Sequence, residues 1–312
     1  MLVALAGGVG AARFLRGLLK RISPDELVVV VNTGDDAPFH GLHVSPDIDT
    51  IIYTLAGVVD DAKGYALRRD TFHVLKTLRR FGHETWFALG DRDFATHVHR
   101  TMLLRRGHTL SEVTLSLCRA WGLRTRVLPM TDSPVETRVV TEQGDMHLQE
   151  YLAREHAQGA IQRVYVRGLE RAEPAPGVIE ALLAASGVVL CPSNPVISIG
   201  PILGVPGVRD ALRMADALVV GVSPLVAGAA VKGPAVPMLA AQGVEPSACG
   251  VAALYRDFLD GFVIDQQDAA LRERIEALGV RVAVTDTLMR TPEDAARVAD
   301  AVLTLLAEVT PQ

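Results

Sequence analysis

The chain has 312 residues, of which 49% are hydrophobic and 21% are charged, so it can bury a sizeable core. Its formal net charge of -5 argues against general nucleic-acid binding, which requires a basic surface. No apolar stretch reaches the roughly 18 residues that cross a bilayer, and glycines interrupt the first apolar run, so neither a membrane span nor a signal peptide is predicted. The three cysteines are widely spaced, which favours reduced thiols in a cytoplasmic protein over disulfides or a zinc site.

Apolar runs typical of buried strands alternate with amphipathic helical patterns along most of the chain. The predicted strands cover 2–6, 27–32, 187–191, 217–222, 262–265 and 280–285, and the predicted helices cover 11–21, 177–186, 207–215, 267–278 and 292–308. This alternation predicts an α/β fold, in which a Rossmann-like, mostly parallel sheet carries helices on both faces. Residues 1–312 are expected to form a single domain.

The middle of the chain departs from this alternation. Residues 60–130 are mostly helical in pattern, with the clearest helices at 68–81 and 97–106, and short strands at 137–140 and 145–148 predict a hairpin. Open α/β sheets bind ligands outside the carboxyl ends of their strands. We therefore expect a largely helical insertion at 60–130 that covers an active site at that edge.

Three glycines follow the first strand in the sequence Gly7-Gly8-Val9-Gly10, directly before a helical pattern. The spacing matches neither a Walker loop nor GxGxxG. A strand, a glycine-rich turn and a helix in this order nevertheless favour a phosphate or diphosphate bound at the helix N-terminus. The alternative is a tight turn that needs glycine for packing alone.

Acidic residues cluster just after the second predicted strand. Asn32 ends that strand, and Asp35, Asp36, Asp47 and Asp49 follow it. Acids before an apolar run can be simple helix caps. However, gathering this many carboxylates past a strand end is costly without a cation, and Mg²⁺ typically takes one or two carboxylates together with waters and phosphates.

Two further polar stretches follow apolar runs. In the first, Asp91, Arg92, Thr96 and His97 could supply a metal ligand, a phosphate clamp and a proton carrier, although a surface ion pair beside a capped helix fits equally well. In the second, Ser193, Asn194 and Ser198 could donate hydrogen bonds to phosphate or to a base; the stretch 223–234 repeats that arrangement. No GxSxG elbow is present and no cysteine lies in a setting that would lower its pKa, so the positioning and charge neutralisation of phosphoryl transfer are favoured.

Four stretches together resemble the 2-phospho-L-lactate transferase (CofD/FbiA) family of coenzyme F420 biosynthesis. They are AGGVGAARFL at 6–15, NTGDD with HGLHVSPDIDT at 32–50, LGDRDFATH at 89–97 and PSNPVISIGPIL at 192–203. The likeness also includes MTDSPVETRVV at 130–140 and DTLM at 286–289. The valine at position 9 resembles the bacterial members of the family, and Ala88 stands where archaeal relatives often carry a basic residue.

The resemblance implies a Mg²⁺-dependent transferase. Such an enzyme moves a phospho-hydroxyacid from its guanosine diphosphate-activated form to the terminal ribityl hydroxyl of FO (7,8-didemethyl-8-hydroxy-5-deazariboflavin), and GMP leaves. The acid could be 2-phospholactate, phosphoenolpyruvate or 3-phosphoglycerate, because these differ by few atoms and pockets discriminate such changes weakly. It also implies a cytoplasmic homodimer that acts on small molecules.

The resemblance, together with the spacing, assigns expected roles to particular residues. The expected catalytic residues are Asp49, Asp91 and Arg92, with Asp49 and Asp91 also as metal ligands. The expected FO contacts are Asp49, Thr50, Thr96 and His97. The expected nucleotide or phosphate contacts are Gly7, Gly8, Val9, Gly10, Asn32, Ser193, Asn194 and Ser198.

Three alternative functions are considered. A YvcK-type sugar-nucleotide-binding regulator would share the early glycines and the sheet, but a different second-strand region is expected of it. A dehydrogenase is disfavoured because GxGxxG is missing and an asparagine, not an acid, ends the second strand. A nucleotide-binding module without catalysis is the third.

Overall fold

A computed structural model describes residues 1–308 of the chain. Its strands within this range are β1 (Leu2–Ala6), β2 (Leu27–Val31), β3 (Ala37–Phe39), β4 (Leu42–Val44), β5 (Arg126–Pro129), β6 (Glu136–Thr141), β7 (Gly144–His147), β8 (Ile161–Arg167), β9 (Gly187–Leu190), β10 (Val219–Val222), β11 (Leu225–Val226), β12 (Ala229–Ala230), β13 (Gly261–Asp265) and β14 (Arg281–Thr285). Its α-helices within this range are α1 (Gly8–Leu18), α2 (Pro46–Leu55), α3 (His73–Arg80), α4 (Asp91–Arg105), α5 (Leu110–Ala120), α6 (Val178–Leu183), α7 (Gly200–Gly204), α8 (Val208–Met214), α9 (Ala235–Ala241), α10 (Ala248–Tyr255), α11 (Arg272–Glu276) and α12 (Pro292–Ala307).

Seven parallel strands form the central sheet in the order β14-β13-β10-β9-β1-β2-β5. Successive residues of a strand point to opposite faces, so each strand contributes to two apolar layers. Val3 and Leu5 of β1 pack on the face covered by α6, α8 and α10, whereas Ala4 and Ala6 pack on the face covered by α1, α2, α5 and α12. The α/β fold with helices on both faces is confirmed.

The middle of the chain differs in part from the prediction. Helices α3, α4 and α5 lie within the predicted insertion, but its last residues form β5, which pairs with β2 as an edge strand of the main sheet. The predicted hairpin is present as β6 and β7, and β8 joins it as a third antiparallel strand. An edge strand that begins with arginine and ends with proline has little of the apolar pattern by which buried strands are predicted.

The parallel arrangement brings the loops after several strands to one edge of the sheet. The residues that follow β1, β2, β9 and β10 are Gly7, Asn32, Cys191 and Ser223. Strands β1, β2, β9 and β10 are adjacent in the sheet, so these four positions lie side by side. None of the described helices is long and apolar enough to cross a membrane.

Candidate active site

A cavity of about 850 Å³ opens at this edge of the sheet. It contains most of the predicted site residues, namely Gly7, Gly8, Val9, Gly10, Asp49, Thr50, His97, Ser193, Asn194 and Ser198. Four other predicted residues are not part of its wall: Asn32, Asp91, Arg92 and Thr96. The structure therefore brings the glycine turn, the acidic segment and the loop after β9 together.

The glycine turn is tighter than the sequence predicted, because α1 begins at Gly8 and not at residue 11. Gly7 is extended, and a Cβ on it would lie 2.7 Å from both Asp47 Oδ2 and Ser198 Cβ. Gly8 has a φ of +73°, a conformation that L side chains rarely adopt, and a Cβ on it would meet nothing within 4 Å. Gly7 is thus required by close packing, and Gly8 by its backbone conformation.

The N-terminus of α1 faces the cavity with two of its amides already engaged. The Gly7 amide donates to Ser193 Oγ at 3.2 Å, and the Gly8 amide donates to Asp47 Oδ1 at 2.8 Å. The first amides of a helix lack partners within the helix, and the helix dipole favours an anion beside them. Val9 and Gly10 lie in the same first turn and line the cavity, so their amides are the candidates for binding an anion.

Asn32 holds two carboxylates. Its Nδ2 donates to Asp47 Oδ2 at 2.9 Å and to Asp35 Oδ1 at 3.2 Å, and its side chain is completely buried. The expected contact of Asn32 with a nucleotide is therefore corrected: it lies behind the cavity wall and orients the acids in front of it. Burial raises the pKa of Asp47 to about 6. Burial, followed by the charge of Asp47, raises the pKa of Asp35 well above its usual range.

Asp35 and Asp47 suit a divalent cation. Both are buried, both line the cavity, and their raised pKa values show that ionising the pair is costly without a compensating charge. No cluster of three or more histidine, cysteine or acidic side chains arranged for a metal occurs within residues 1–308. A pair of carboxylates nevertheless fits Mg²⁺, which completes its shell with waters and substrate phosphates.

Asp36 makes other contacts than these two acids, although, after burial, its charge contributes to the raised pKa of both. Its Oδ2 accepts hydrogen bonds from Ser45 Oγ at 2.6 Å and His43 Nε2 at 3.1 Å. It lines a second cavity of about 990 Å³, which shares Trp86 with the first and extends towards His147. The adjacent residues Asp35 and Asp36 therefore line different cavities.

Asp49 is paired with a fully buried arginine. Arg100 Nη1 donates to Asp49 Oδ2 at 3.1 Å, and Arg100 Nη2 contacts Asp49 Oδ1. The Arg100 side chain has no solvent exposure, whereas Asp49 lies on the cavity wall. A two-pronged pair of this kind holds the carboxylate in one orientation. Asp49 thus reaches the cavity as predicted, but with a partner that sequence reasoning missed.

A second polar group lies beside this pair, on α2 and α4. The Tyr53 hydroxyl donates to Asp93 Oδ1 at 2.8 Å and lies 2.7 Å from Thr96 Oγ1. Burial acts to raise the pKa of Asp93, but His97, Tyr53 and Arg100 outweigh it and hold that pKa below the usual range. Thr96 therefore stands one layer behind the wall, and its expected contact with FO is corrected to a contact with Tyr53.

Asp91 and Arg92 serve the local structure of the insertion. Asp91 accepts hydrogen bonds from the amides of His73 and Val74, each at 2.9 Å, and so caps the N-terminus of α3. The Arg92 guanidinium donates to the carbonyl of Arg68 at 3.1 Å and is exposed. The expected metal pair of Asp49 and Asp91, and the expected role of Arg92 on phosphate, are not supported by this arrangement.

Cations from three separate elements line the cavity instead. Arg13 lies on α1, Lys232 follows β12, and Arg290 follows β14. Burial, followed by the charge of Arg13, lowers the pKa of Lys232. Their separation along the chain explains why no single motif revealed them.

The insertion supplies an apolar wall. Trp86, Phe87 and Leu89 line the cavity, and the Phe87 ring stacks on Phe39 with centroids 3.7 Å apart. Flat aromatic surfaces of this kind suit a planar ring system in a ligand. The cavity therefore combines a helix N-terminus, which favours an anion, with two acids that fit a cation and an aromatic wall.

Comparison with known proteins agrees with this arrangement. A family model described as 2-phospho-L-lactate transferase CofD matches residues 2–302. The chain belongs to the 2-phospho-L-lactate transferase family. Family membership makes it a transferase of coenzyme F420 biosynthesis, as the resemblance implied.

The relatives of this family carry two names. The chain is 45% identical to a phosphoenolpyruvate transferase of Kitasatospora aureofaciens, over 99% of this chain and 98% of the relative. It is 40% identical to a 2-phospho-L-lactate transferase of Methanosarcina acetivorans, over 97% and 98%. A crystal structure of a UPF0052 family protein from Bacillus halodurans has a TM-score of 0.64 at 16% identity, covering 97% of this chain and 98% of that one, which shows a shared fold.

We predict that Asp35→Asn stabilises the metal-free protein. Because the folded state raises the pKa of Asp35, its carboxylate costs stability as pH rises above the ordinary value of about 4. The melting temperature of Asp35→Asn should therefore exceed that of the parent in EDTA, by an amount that is small near this pH and grows as pH increases. Thermal melts across the pH range test this.

With Mg²⁺ present, the parent should have a higher melting temperature than Asp35→Asn. Mg²⁺ should raise the melting temperature of the parent, because a ligand that binds only the folded state stabilises it, but it should not raise that of Asp35→Asn. Asp36→Asn is the matched control, since Asp36 faces the second cavity, and it should keep the shift caused by Mg²⁺. A full Mg²⁺ shift in Asp35→Asn would show that the cation binds elsewhere.

Proposed function

We propose that the protein transfers a phospho-hydroxyacid from its guanosine diphosphate-activated form to the terminal ribityl hydroxyl of FO. The hydroxyl oxygen bonds to the phosphorus that carries the acid, and the bond from that phosphorus to the bridging oxygen breaks. The electron pair of that bond leaves with GMP, whose phosphate takes up the proton. The observation that carries the proposal is the single cavity that joins the N-terminus of α1 to an aromatic wall, with Asp49 on its surface.

Phosphoenolpyruvate is the donor acid that we favour. Five relatives named phosphoenolpyruvate transferase share 44–46% identity with this chain, whereas three named 2-phospho-L-lactate transferase share 37–40%. The three candidate acids differ by few atoms, so this choice rests on likeness among relatives and not on a particular contact.

The donor's diphosphate would bind at the glycine turn, with its charge balanced from two sides. The Val9 and Gly10 amides would donate to phosphate oxygens, and Arg13 and Lys232 supply positive charge from the cavity wall. An anion at this position would lie beside the carboxylate of Asp47, which accepts from the Gly8 amide. That proximity supports a requirement for a cation.

Asp35 and Asp47 would hold Mg²⁺, in place of the pair expected from the sequence. When bound, the ion would neutralise charge on the phosphates of the donor. Ser193, Asn194 and Ser198 would lie along the guanosine side, where Asn194 already orders its loop by accepting from the amides of Val196 and Ile197. Assembly as a homodimer and a cytoplasmic location stay predictions.

FO would bind between the aromatic wall and α2. Trp86 and Phe87 offer ring surfaces, and Asp49 and Thr50 offer polar atoms to the ribityl chain. His97 lies on the same wall. This arrangement would place the terminal hydroxyl between the deazaflavin and the diphosphate, as in-line transfer requires.

The direct test offers FO and Mg²⁺ together with each of the three guanosine diphosphate-activated acids. For each donor that reacts, mass spectrometry should detect its transfer product and an equal amount of GMP. The phosphoenolpyruvate donor should give the highest kcat/KM. No product with any of the three donors would contradict the proposal. Binding of a sugar nucleotide without turnover would instead favour the regulatory alternative.

We predict that Gly8→Ala weakens GDP binding about 10-fold or more, because Gly8 lines the cavity and a Cβ on it would project into open space next to the proposed phosphate position. Gly243→Ala is the matched control. Gly243 has a φ of +71° and equally open surroundings, so both variants should lose about 1 kcal/mol of stability from left-handed strain. Calorimetric titration with GDP distinguishes them; equal GDP affinity in the two variants would mean that the turn serves packing alone.

Two threonines of the acceptor side should behave differently. Thr50→Val should weaken FO binding by about 1–3 kcal/mol if its hydroxyl bonds a polar atom of FO, because that atom is left unsatisfied. Thr96→Val should lower the melting temperature and change FO affinity less, since its hydroxyl contacts Tyr53. FO fluorescence titration measures both. An FO affinity reduced more by Thr96→Val than by Thr50→Val would place FO deeper between α2 and α4.

A further inference from the structure

We infer that Arg100 is a positioning residue that fixes both the carboxylate of Asp49 and the proton of His97 on Nε2, so that Asp49 and not His97 accepts the hydrogen bond of the acceptor hydroxyl. The two fixed groups follow from the structure of the protein alone. Their role towards the hydroxyl rests on the proposed function.

The tautomer of His97 follows from the chemistry of arginine. A guanidinium has only donors and does not lose its proton in proteins. Arg100 Nη1 carries two hydrogens, and its two nearest partners are Asp49 Oδ2 and His97 Nδ1 at 3.1 Å each, whereas the His43 carbonyl is more distant at 3.5 Å. Nδ1 must therefore offer its lone pair to Arg100, which leaves the single proton of the neutral imidazole on Nε2.

The other ring nitrogen has a matching neighbour. His97 Nε2 lies 3.4 Å from Asp93 Oδ1, the same oxygen that accepts from the Tyr53 hydroxyl. A proton on Nε2 points a positive dipole at this carboxylate, whereas a lone pair there would repel it. Arg100 and Asp93, on opposite sides of the ring, thus favour the same tautomer.

This arrangement decides which side chain can accept a hydrogen bond from a ligand. Neither nitrogen of His97 is left to accept: Nδ1 receives the hydrogen bond of Arg100, and Nε2, which has no hydrogen-bond partner among the described residues, carries the proton. Asp49 accepts from Arg100 through both oxygens, yet a carboxylate has about four lone-pair sites, so two remain after the two bonds from Arg100. Asp49 also lies on the cavity wall, where those sites face the ligand.

The location of Arg100 separates this role from simple packing. The side chain is completely buried behind the wall, and both of its polar partner side chains, Asp49 and His97, line the cavity. An arginine that served only to join α2 and α4 could pair with any buried acid. Here the planar fork sets the orientation of two groups that a ligand would meet.

The test of the tautomer uses the unliganded parent protein with ¹⁵N-labelled histidine in mildly alkaline buffer. The spectrum of His97→Gln identifies the His97 signals. We expect a protonated Nε2 and an unprotonated Nδ1 for His97. A protonated Nδ1 would overturn the inference, and because no substrate is involved, this result is independent of the proposed function.

The test of positioning uses Arg100→Lys, which keeps the charge but loses the two-pronged geometry. With the substrates of the proposed reaction, kcat should fall about 10-fold or more while the KM of the donor stays within about twofold, since the donor binds at the glycine turn. Arg138→Lys is the matched control, because Arg138 bridges Glu136 and Asp145 outside the cavity. It should keep kcat.

Each outcome of the kinetic test has one reading. An unchanged kcat in Arg100→Lys would overturn the positioning role, as would an equal fall of kcat in Arg100→Lys and Arg138→Lys. If the parent fails to use FO at all, the proposed function is wrong, while the ¹⁵N spectrum still decides whether Arg100 fixes the proton of His97.

Discussion

Burial of negative charge at one edge of the sheet is the constraint on which the rest of the site depends. The segment after β2 and the first turn of α2 place Asp35, Asp47 and Asp49 on the wall of one cavity. Arg100 balances one of these charges from behind. Hydrogen bonds from Asn32 and the Gly8 amide satisfy the other two only partly, so their pKa values stay raised. Ionising both of these acids is therefore costly in the folded protein, and a bound cation would relieve that cost.

This constraint also explains why the acids around the cavity differ in role. The carboxylate with an internal arginine partner is fixed in one orientation, which suits a group that orients a substrate hydroxyl. The other two carboxylates have Asn32 as their common partner and no arginine, so they remain costly to ionise, which suits groups that bind metal. The acids of this short segment thus differ in chemistry because different residues pack behind them. Sequence spacing alone could not separate these roles.

Much of the fold could be predicted from the sequence because buried parallel strands are continuous apolar runs. This pattern located β1, β2, β9, β10, β13 and β14, and helical periodicity located α1, α6, α8, α11 and α12 but not α7, α9 and α10. It missed β5, which lies at the sheet edge and begins with a charged residue, and β8, in which exposed and half-buried positions do not alternate and no residue is buried. The pattern of apolar residues reports burial along a whole strand, but β5 has only three buried residues after its exposed arginine, and β8 has none.

The site could be predicted where function depends on a loop after a strand, and not where it depends on the contacts of a side chain. The glycine turn and the loop after β9 follow strand ends, so topology alone brings them together. Asp91 and Asp93 are two residues apart in the same helical turn, yet one caps α3 and the other faces the cavity. A signal for the buried network existed: Asp93, His97 and Arg100 share one face of α4 at helical spacing, where apolar residues would be expected.

The central claim is that one cavity binds the nucleotide donor at the end of α1 and the deazaflavin against the insertion. A crystal structure of the protein with GDP, Mg²⁺ and FO tests it most directly. The account predicts phosphate oxygens within hydrogen-bond distance of the Val9 and Gly10 amides, the deazaflavin ring against Trp86 and Phe87, and the terminal ribityl hydroxyl at Asp49. A nucleotide bound away from the glycine turn, or FO in the second cavity beside Asp36, would contradict it.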